Sequence, residues 1–167
     1  MADRSEFSPT VTGTVIDGIL VVTVDNPPVN ATSAEVRRGI AAAIGYASTE
    51  IAIRATVLIG AGKIFIGGAD IREFGKPPTE PTLPDVITII ESADKPVVAA
   101  INGAALGGGL EVALGVHARI ASSSASLGLP EVKLGIVPGA GGTQRLPRLI
   151  GPLPALDRIA TGRPLTA

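Results

Sequence analysis

The sequence predicts an α/β fold of alternating strands and helices, and three observations lead there. Residues 54–60 (RATVLIG) and 95–101 (KPVVAAI) are unbroken apolar runs of strand length, the pattern of strands covered on both faces in a parallel sheet. Stretches with helical spacing of apolar residues and polar caps separate these runs and follow them, as layered strand and helix units require. Finally, 46% of the 167 residues are hydrophobic but only 2% aromatic, so the core must be Val, Ile, Leu and Ala, with small residues where elements meet. That length suits one domain, residues 1–167, able to bury a core of its own.

Taken in order, residues 11–25 (VTGTVIDGILVVTVD) hold two β-rich runs split by Asp17-Gly18, a hairpin signal. The stretch NPPVN (26–30) stops the second run, because proline cannot donate to a strand ladder. Ser33 is the expected N-cap of a helix running to about Gly45, with Glu35 and Arg38 in its first turns. After the strand at 54–60, residues 63–75 are mixed, and KPPTEPTLP (76–84) carries four prolines in nine residues, which excludes a long helix and favours an exposed loop. A short amphipathic helix over 85–94, capped by Asp85, leads into the strand at 95–101. NGAALGGG is then a loop and 108–117 a helix. ARIASSSASLGL (118–129) supplies one or two short strands, 130–142 is loop, and TQRLPRLIG and LPALDRIATG are two closing helices. The chain ends in ATGRPLTA, straight after a helix with no polar tail, and reads as one domain of something longer.

Composition removes several classes of function. A net charge of −1 with no basic run argues against nucleic acid as a partner. With no Cys there are no disulfides, thiolate nucleophiles or Cys-based metal sites, and a single His rules out a His-rich one, so no metal is expected. The N-terminal MADRSEFSPT lacks the order of a signal peptide, and no apolar run approaches the ~20 residues that span a bilayer. These features predict a soluble, cytoplasmic protein without a membrane span.

Three glycine-rich spots are candidates for chemistry: FIGGAD (65–70), LGGGLE (106–111) and PGAGGTQR (138–145). The last lacks the Lys-Ser/Thr ending of a phosphate loop, and no dinucleotide fingerprint follows a first strand, which argues against ATP and NAD. In LGGGLE, Gly107 to Gly109 lie where a strand has ended and a helix begins, so bare N–H groups at the positive end of the helix dipole can hold an oxyanion. GGAD follows another strand and offers a second donor. Glu111 is either a first-turn acid favoured by the dipole or, since its helix is apolar all round, a buried acid suited to proton transfer. Glu131, in GLPEVKLGIVPG, is either a solvated loop acid or the partner of Glu111. The simpler readings hold elsewhere: His117 as a structural residue at a helix end, Ser122 to Ser124 as turn residues, Asp70 and Glu73 as a cap and a first-turn acid, Arg145 and Arg148 as surface or interface charges. Lys63 and Lys133 are weaker candidates for meeting ligand phosphates.

In the order VDNPPVNA, GADIREF, KPVVAAINGAALGGGLEVAL, PEVKLGIVPGAGGTQRLPRLIG and ATGRPLTA, these motifs resemble the enoyl-CoA hydratase/isomerase (crotonase) superfamily over nearly the whole chain. The resemblance implies a β-β-α superhelical spiral, here without the family's C-terminal helical segment, and an acyl-CoA thioester as partner. It assigns the two thioester-polarising amides to Ala69 and Gly108. It assigns water activation to Glu111 and protonation at C2 to Glu131, giving syn hydration of a trans-2-enoyl-CoA to a 3-hydroxyacyl-CoA. Gly68, Ala69, Asp70, Ile71 and Arg72 would line the path of the coenzyme A moiety, which enters with the substrate, so no separate cofactor is implied. The motifs look most like the N-terminal part of bifunctional β-oxidation enzymes, which implies a covalently following dehydrogenase domain, with a homo-oligomer as the other arrangement. Alternatives are Δ3-Δ2-enoyl-CoA isomerisation and a non-catalytic acyl-CoA-binding or assembly fragment. Two departures stand out: Ala31-Thr32 where a Leu or similar residue commonly follows, which reads as minor, and His117 where stand-alone hydratases have Asp.

Overall fold

A computed structural model describes residues 4–167. Its ten strands form two sheets. The larger has the order β1(Arg4–Ser8), β2(Val11–Ile16), β3(Ile19–Val24), β4(Ala55–Gly60), β6(Val97–Ile101), β8(Ala118–Ala121). The smaller runs β10(Leu165–Thr166), β9(Ser126–Gly128), β7(Ala104–Leu106), β5(Ile64–Ile66). The helices are α1(Ala34–Thr49), α2(Leu83–Glu91), α3(Gly108–Gly115), α4(Gly142–Ile150) and α5(Pro152–Thr161). From β4 onward the chain repeats one move: a strand in the large sheet, a strand in the small sheet, then a helix. The units are β4-β5-α2, β6-β7-α3 and β8-β9 followed by a 3-10 turn and α4, and both sheets grow by parallel pairing as the units stack. This is the expected β-β-α spiral.

The hairpin forms as expected. Asp17 (φ 48°) and Gly18 (φ 76°) both take the left-handed conformation that matches a tight turn to strand twist, and Ile16 pairs with Ile19. In β4 and β6, Thr56, Leu58, Val97, Ala99 and Ile101 are fully buried while the alternate residues are half-buried, so both faces are covered but unequally. Helix α1 buries Val36, Ile40, Ala43, Ile44 and Ala47, one stripe at helical spacing. Phe65 is among the largest fully buried side chains, amid Ile, Leu and Val. At Gly60 a Cβ would stand 2.1 Å from the Ile64 carbonyl oxygen, so the turn of the chain from one sheet to the other closes only on a residue without one. Among the described residues, no helix is long and apolar enough to cross a membrane.

Several elements differ from expectation. Helix α1 starts at its Ser33 cap but continues to Thr49, because residues 46–49 still add Ala47 to the buried stripe. Helix α2 starts earlier: Thr82 is its N-cap, Pro84 fits its first turn, and Asp85 returns a bond to the Thr82 N–H in a capping box instead of being the cap. NGAALGGG is not all loop, since Ala104–Leu106 forms β7. Helix α3 ends at Gly115, so His117 lies outside it: its N–H donates to the Val97 oxygen (3.0 Å) and its Nδ1 accepts from the Val97 N–H (3.1 Å), which lines up β6 and β8. The segment 130–142 contains a 3-10 turn at Glu131–Leu134. β1, β5 and β10 answer to no sequence expectation.

Candidate active site

The small sheet aims two glycine-rich turns at one another. β5 leads into Gly67-Gly68-Ala69, and β7 leads into Gly107 and the start of α3. The Gly107 N–H donates to the Gly128 oxygen of β9 (2.8 Å), and its φ of 51° with ψ of −126° is a conformation that side chains strongly disfavour. As first residue of α3, Gly108 has no carbonyl four residues back to receive its N–H. The Ala69 N–H likewise donates to no acceptor among the described residues. A Cβ on Gly108 would stand 3.6 Å from the Ala69 nitrogen, so the turn after β5 and the start of α3 are in contact.

All eight residues of α3 are buried, and Glu111 is 2% exposed. Its Oε1 accepts the N–H groups of Ala140 and Gly142, both at 2.8 Å. Gly142 is the first residue of α4, so the loop PGAGG does bind an anion at a helix N-terminus, and that anion is a carboxylate of its own chain. Arg145 steadies the same loop: its Nη1 donates to the Ala140 oxygen (2.9 Å) while Nε and Nη2 grip Glu91, both at 2.7 Å.

Glu131 opens the 3-10 turn and is 8% exposed. Its Oε2 is buried without a hydrogen-bond partner, and its Oε1 lies 3.1 Å from the place a Cβ on Gly107 would take. Burial pushes the Glu131 carboxyl above the usual glutamate range, its own backbone amide works against that, and the nearby Glu111 adds to the rise. One acid is thus pinned by two amides and the other is left unsatisfied.

Ala69, Gly108, Glu111 and Glu131 surround a single cavity of about 320 Å³. Its walls are apolar and come from Ile71, Phe74, Leu83, Leu134, Ile136 and Val137. Gly68 and Ile71 line it too, and Ala69 and Ile71 are shared with an adjoining hollow of about 430 Å³ that Asp70 and Arg72 help to form. Asp70 caps the 3-10 turn Ile71–Glu73 and is paired with Arg72 at 2.7 Å; that hydrogen bonding holds its carboxyl below the usual range. Lys63 lines a separate shallow hollow, and Lys133 packs toward Gly162, so neither reaches the main cavity. Arg148 folds back onto Gln144 of its own helix. Sequence reasoning missed the amides of Ala140 and Gly142, although a Gly-rich segment entering a helix is itself a sign of anion binding. It also missed Thr32 and Asn30, buried polar residues that tie the strand-stopping loop to the β5 turn.

The sequence model of the enoyl-CoA hydratase/isomerase family matches residues 14–167. The peroxisomal bifunctional enzyme of Danio rerio is 53% identical over 149 residues, covering 89% of this chain and 21% of that protein. A probable enoyl-CoA hydratase of Bacillus subtilis is 43% identical over 155 residues, covering 89% of this chain and 60% of that one. The crystal structure of an enoyl-CoA hydratase from Bacillus anthracis superposes with a TM-score of 0.88 at 36% identity, covering 95% of this chain and 65% of that one. The chain therefore spans about a fifth of the first relative and less than two thirds of the other two.

Proposed function

The chain belongs to the enoyl-CoA hydratase/isomerase family, and from that premise we propose that it adds water to trans-2-enoyl-CoA thioesters, as one step of fatty-acid β-oxidation. The observation that carries the reading is the pairing, around one cavity, of two bare backbone amides with two acids, one bonded by main-chain N–H groups and one with an unpartnered oxygen.

In this mechanism the thioester oxygen accepts hydrogen bonds from the Ala69 and Gly108 N–H groups, which draws electrons toward it and leaves C3 open to attack. A water lies between the acids. Glu111, its Oε1 already occupied by Ala140 and Gly142, keeps Oε2 for that water and takes a proton from it as the oxygen bonds to C3. Negative charge collects on the thioester oxygen. Glu131, whose burial favours its protonated form, then delivers a proton to C2. The proton held on Glu111 restores Glu131 through the next water, so the net change is one water added across the double bond. Both groups arrive from the same side in this mechanism, because the two acids share the one water that supplies them.

The coenzyme A portion would run along Gly68, Ala69, Asp70, Ile71 and Arg72 into the adjoining hollow, with no further cofactor. By analogy with the relative named bifunctional, this region would supply one activity of a longer chain. Relatives named peroxisomal or glyoxysomal stand beside a bacterial one, so the cytoplasmic reading of the composition is a proposal, checked by where the full chain fractionates.

The test is to mix the full natural chain with crotonyl-CoA and follow loss of the conjugated thioester absorbance. Turnover that is absent, or unchanged in Glu131→Gln, overturns the mechanism. The unpaired Oε2 of Glu131 favours a second reading, proton shuttling between C2 and C4 of a 3-enoyl-CoA. In that case Glu111→Gln abolishes hydration but spares isomerisation.

A further inference from the structure

Gly68 has a φ of 135° and no side chain, so sterics do little to fix the peptide unit that follows it. That unit matters, because the Gly68 carbonyl and the Ala69 N–H belong to one rigid plane and point in opposite directions. Whatever holds the carbonyl therefore aims the amide.

Thr32 holds it, twice. Its N–H donates to the Gly68 oxygen at 2.9 Å and its Oγ1 donates to the same oxygen at 3.3 Å. Both lone pairs of that carbonyl are then engaged, which fixes the plane and polarises the N–H at its far end. Thr32 is 2% exposed, and its Oγ1 lies 3.4 Å from the place a Cβ on Gly108 would take, so it touches the Gly68-Ala69 peptide and Gly108 at once.

Thr32 is itself held from behind. Arg37, almost fully buried, donates from Nη1 to the Thr32 oxygen and to Glu73 Oε2, both at 2.8 Å. Its Nε and Nη2 reach the oxygens of Pro81 (2.7 Å) and Thr79 (2.9 Å) in the proline-rich loop. Glu73 Oε1 accepts the Ala34 N–H at 2.8 Å, which closes the network on the start of α1. Thr32 thus places a buried hydroxyl where it acts on the site.

We propose that Thr32, locked by Arg37, is a positioning residue that aims the Ala69 amide at the substrate's thioester oxygen. This rests on the hydration reading above and deepens it. Thr32 touches no reacting atom; it works through the Gly68-Ala69 peptide.

The test uses the full natural chain with Thr32→Val, which keeps the shape and removes the hydroxyl, and Thr32→Ser, which keeps the hydroxyl. Three readouts are taken: kcat and KM for crotonyl-CoA, thermal stability, and the infrared carbonyl stretch of bound hexanoyl-CoA labelled with carbon-13 at the carbonyl. That saturated probe cannot be hydrated, so it reports the amide pair alone. The expected result for Thr32→Val is a kcat lower by about five- to tenfold, the loss of one hydrogen bond's worth of aim, with KM little changed. The carbonyl band should shift less on binding than in the parent, and Thr32→Ser should recover most of both.

An unchanged kcat and unchanged carbonyl shift in Thr32→Val overturn the proposal while leaving hydration standing. So does a loss that tracks stability and is no better in Thr32→Ser, since that is packing. A parent that shifts the hexanoyl-CoA carbonyl but leaves crotonyl-CoA untouched overturns hydration instead, and Thr32 is then judged on the infrared shift. A parent that binds neither thioester overturns both.

Discussion

Gly107→Ala and Gly45→Ala are the same chemical change, and the structure gives them opposite signs. Gly45 lies on the exposed side of α1 with nothing within 4 Å of an added Cβ, so Ala there should stabilise the protein by about 0.5–1 kcal/mol through helix propensity. Gly107 holds φ 51° and ψ −126°, where a side chain costs about 1–3 kcal/mol, and the new Cβ would press on Glu131 Oε1 at 3.1 Å. A net loss of about 2–3 kcal/mol, or roughly 4–12 °C in Tm for a domain of this size, follows. Rotation at Gly107 also turns the peptide that carries the Gly108 N–H, and it moves the acid that contacts it. Hydration should therefore fall about a hundredfold, in the range for loss of one oxyanion donor. The assay is crotonyl-CoA hydration together with thermal unfolding of both variants in the full chain. Parental turnover in Gly107→Ala, or equal destabilisation by the two substitutions, would refute the argument that this turn is shaped for the amide pair.

The other predictions use Glu131 and the loop that anchors Glu111. Glu131→Gln should cut hydration by about 10²- to 10⁴-fold while raising stability at neutral pH. A carboxyl raised by burial contributes stability that is complete below the ordinary glutamate value of about 4.3 and is lost as pH rises through its folded value. The stability gap between variant and parent should therefore open as pH climbs from about 4 toward 7; denaturant titrations across that window measure it, and a gap independent of pH would contradict the burial of Glu131. Arg145→Met should leave stability within about 1 kcal/mol, because the Glu91 side chain is 44% exposed and the pair is screened by solvent. It should nevertheless lower kcat several-fold by freeing the Ala140 loop that anchors Glu111, and an unchanged kcat would show that the loop needs no such brace.

How much of this was legible in the sequence depends on element length. The runs 54–60 and 95–101 announced β4 and β6, and Ser33 announced α1, because each carries a full period or a cap with a definite chemistry. β5, β7 and β9 are three residues each and β10 two, too short to show alternation, and they acquire their pairing only from the stacking of successive units. Capping of α2 was assigned to Asp85 and falls to Thr82 for a different reason: the reciprocal bond that assigns their roles exists only in three dimensions. His117 was read as structural and is structural, yet on the wrong element, since Gly115 is the one stop signal before it and Val116 prolongs the apolar pattern.

The site shows the same division. That LGGGLE and GGAD could present amides followed from glycine next to a strand end. The residues alone left Glu131 either a solvated loop acid or the partner of Glu111; the resemblance gave the two acids their separate roles. The GAGG loop was dismissed because it lacked a phosphate-binding lysine, yet it does what bare helix-end amides do, for a ligand that belongs to the fold. A buried carboxylate needs donors, and a spiral whose core is nearly free of aromatic rings lets backbone from separate units come close enough to supply them. Gly142 makes this explicit: its own missing Cβ would stand 3.1 Å from Glu111 Oε1, the atom its N–H must reach. The small residues that the composition required for packing are thus the same residues that let main chain, not side chain, hold the acid and present the amides.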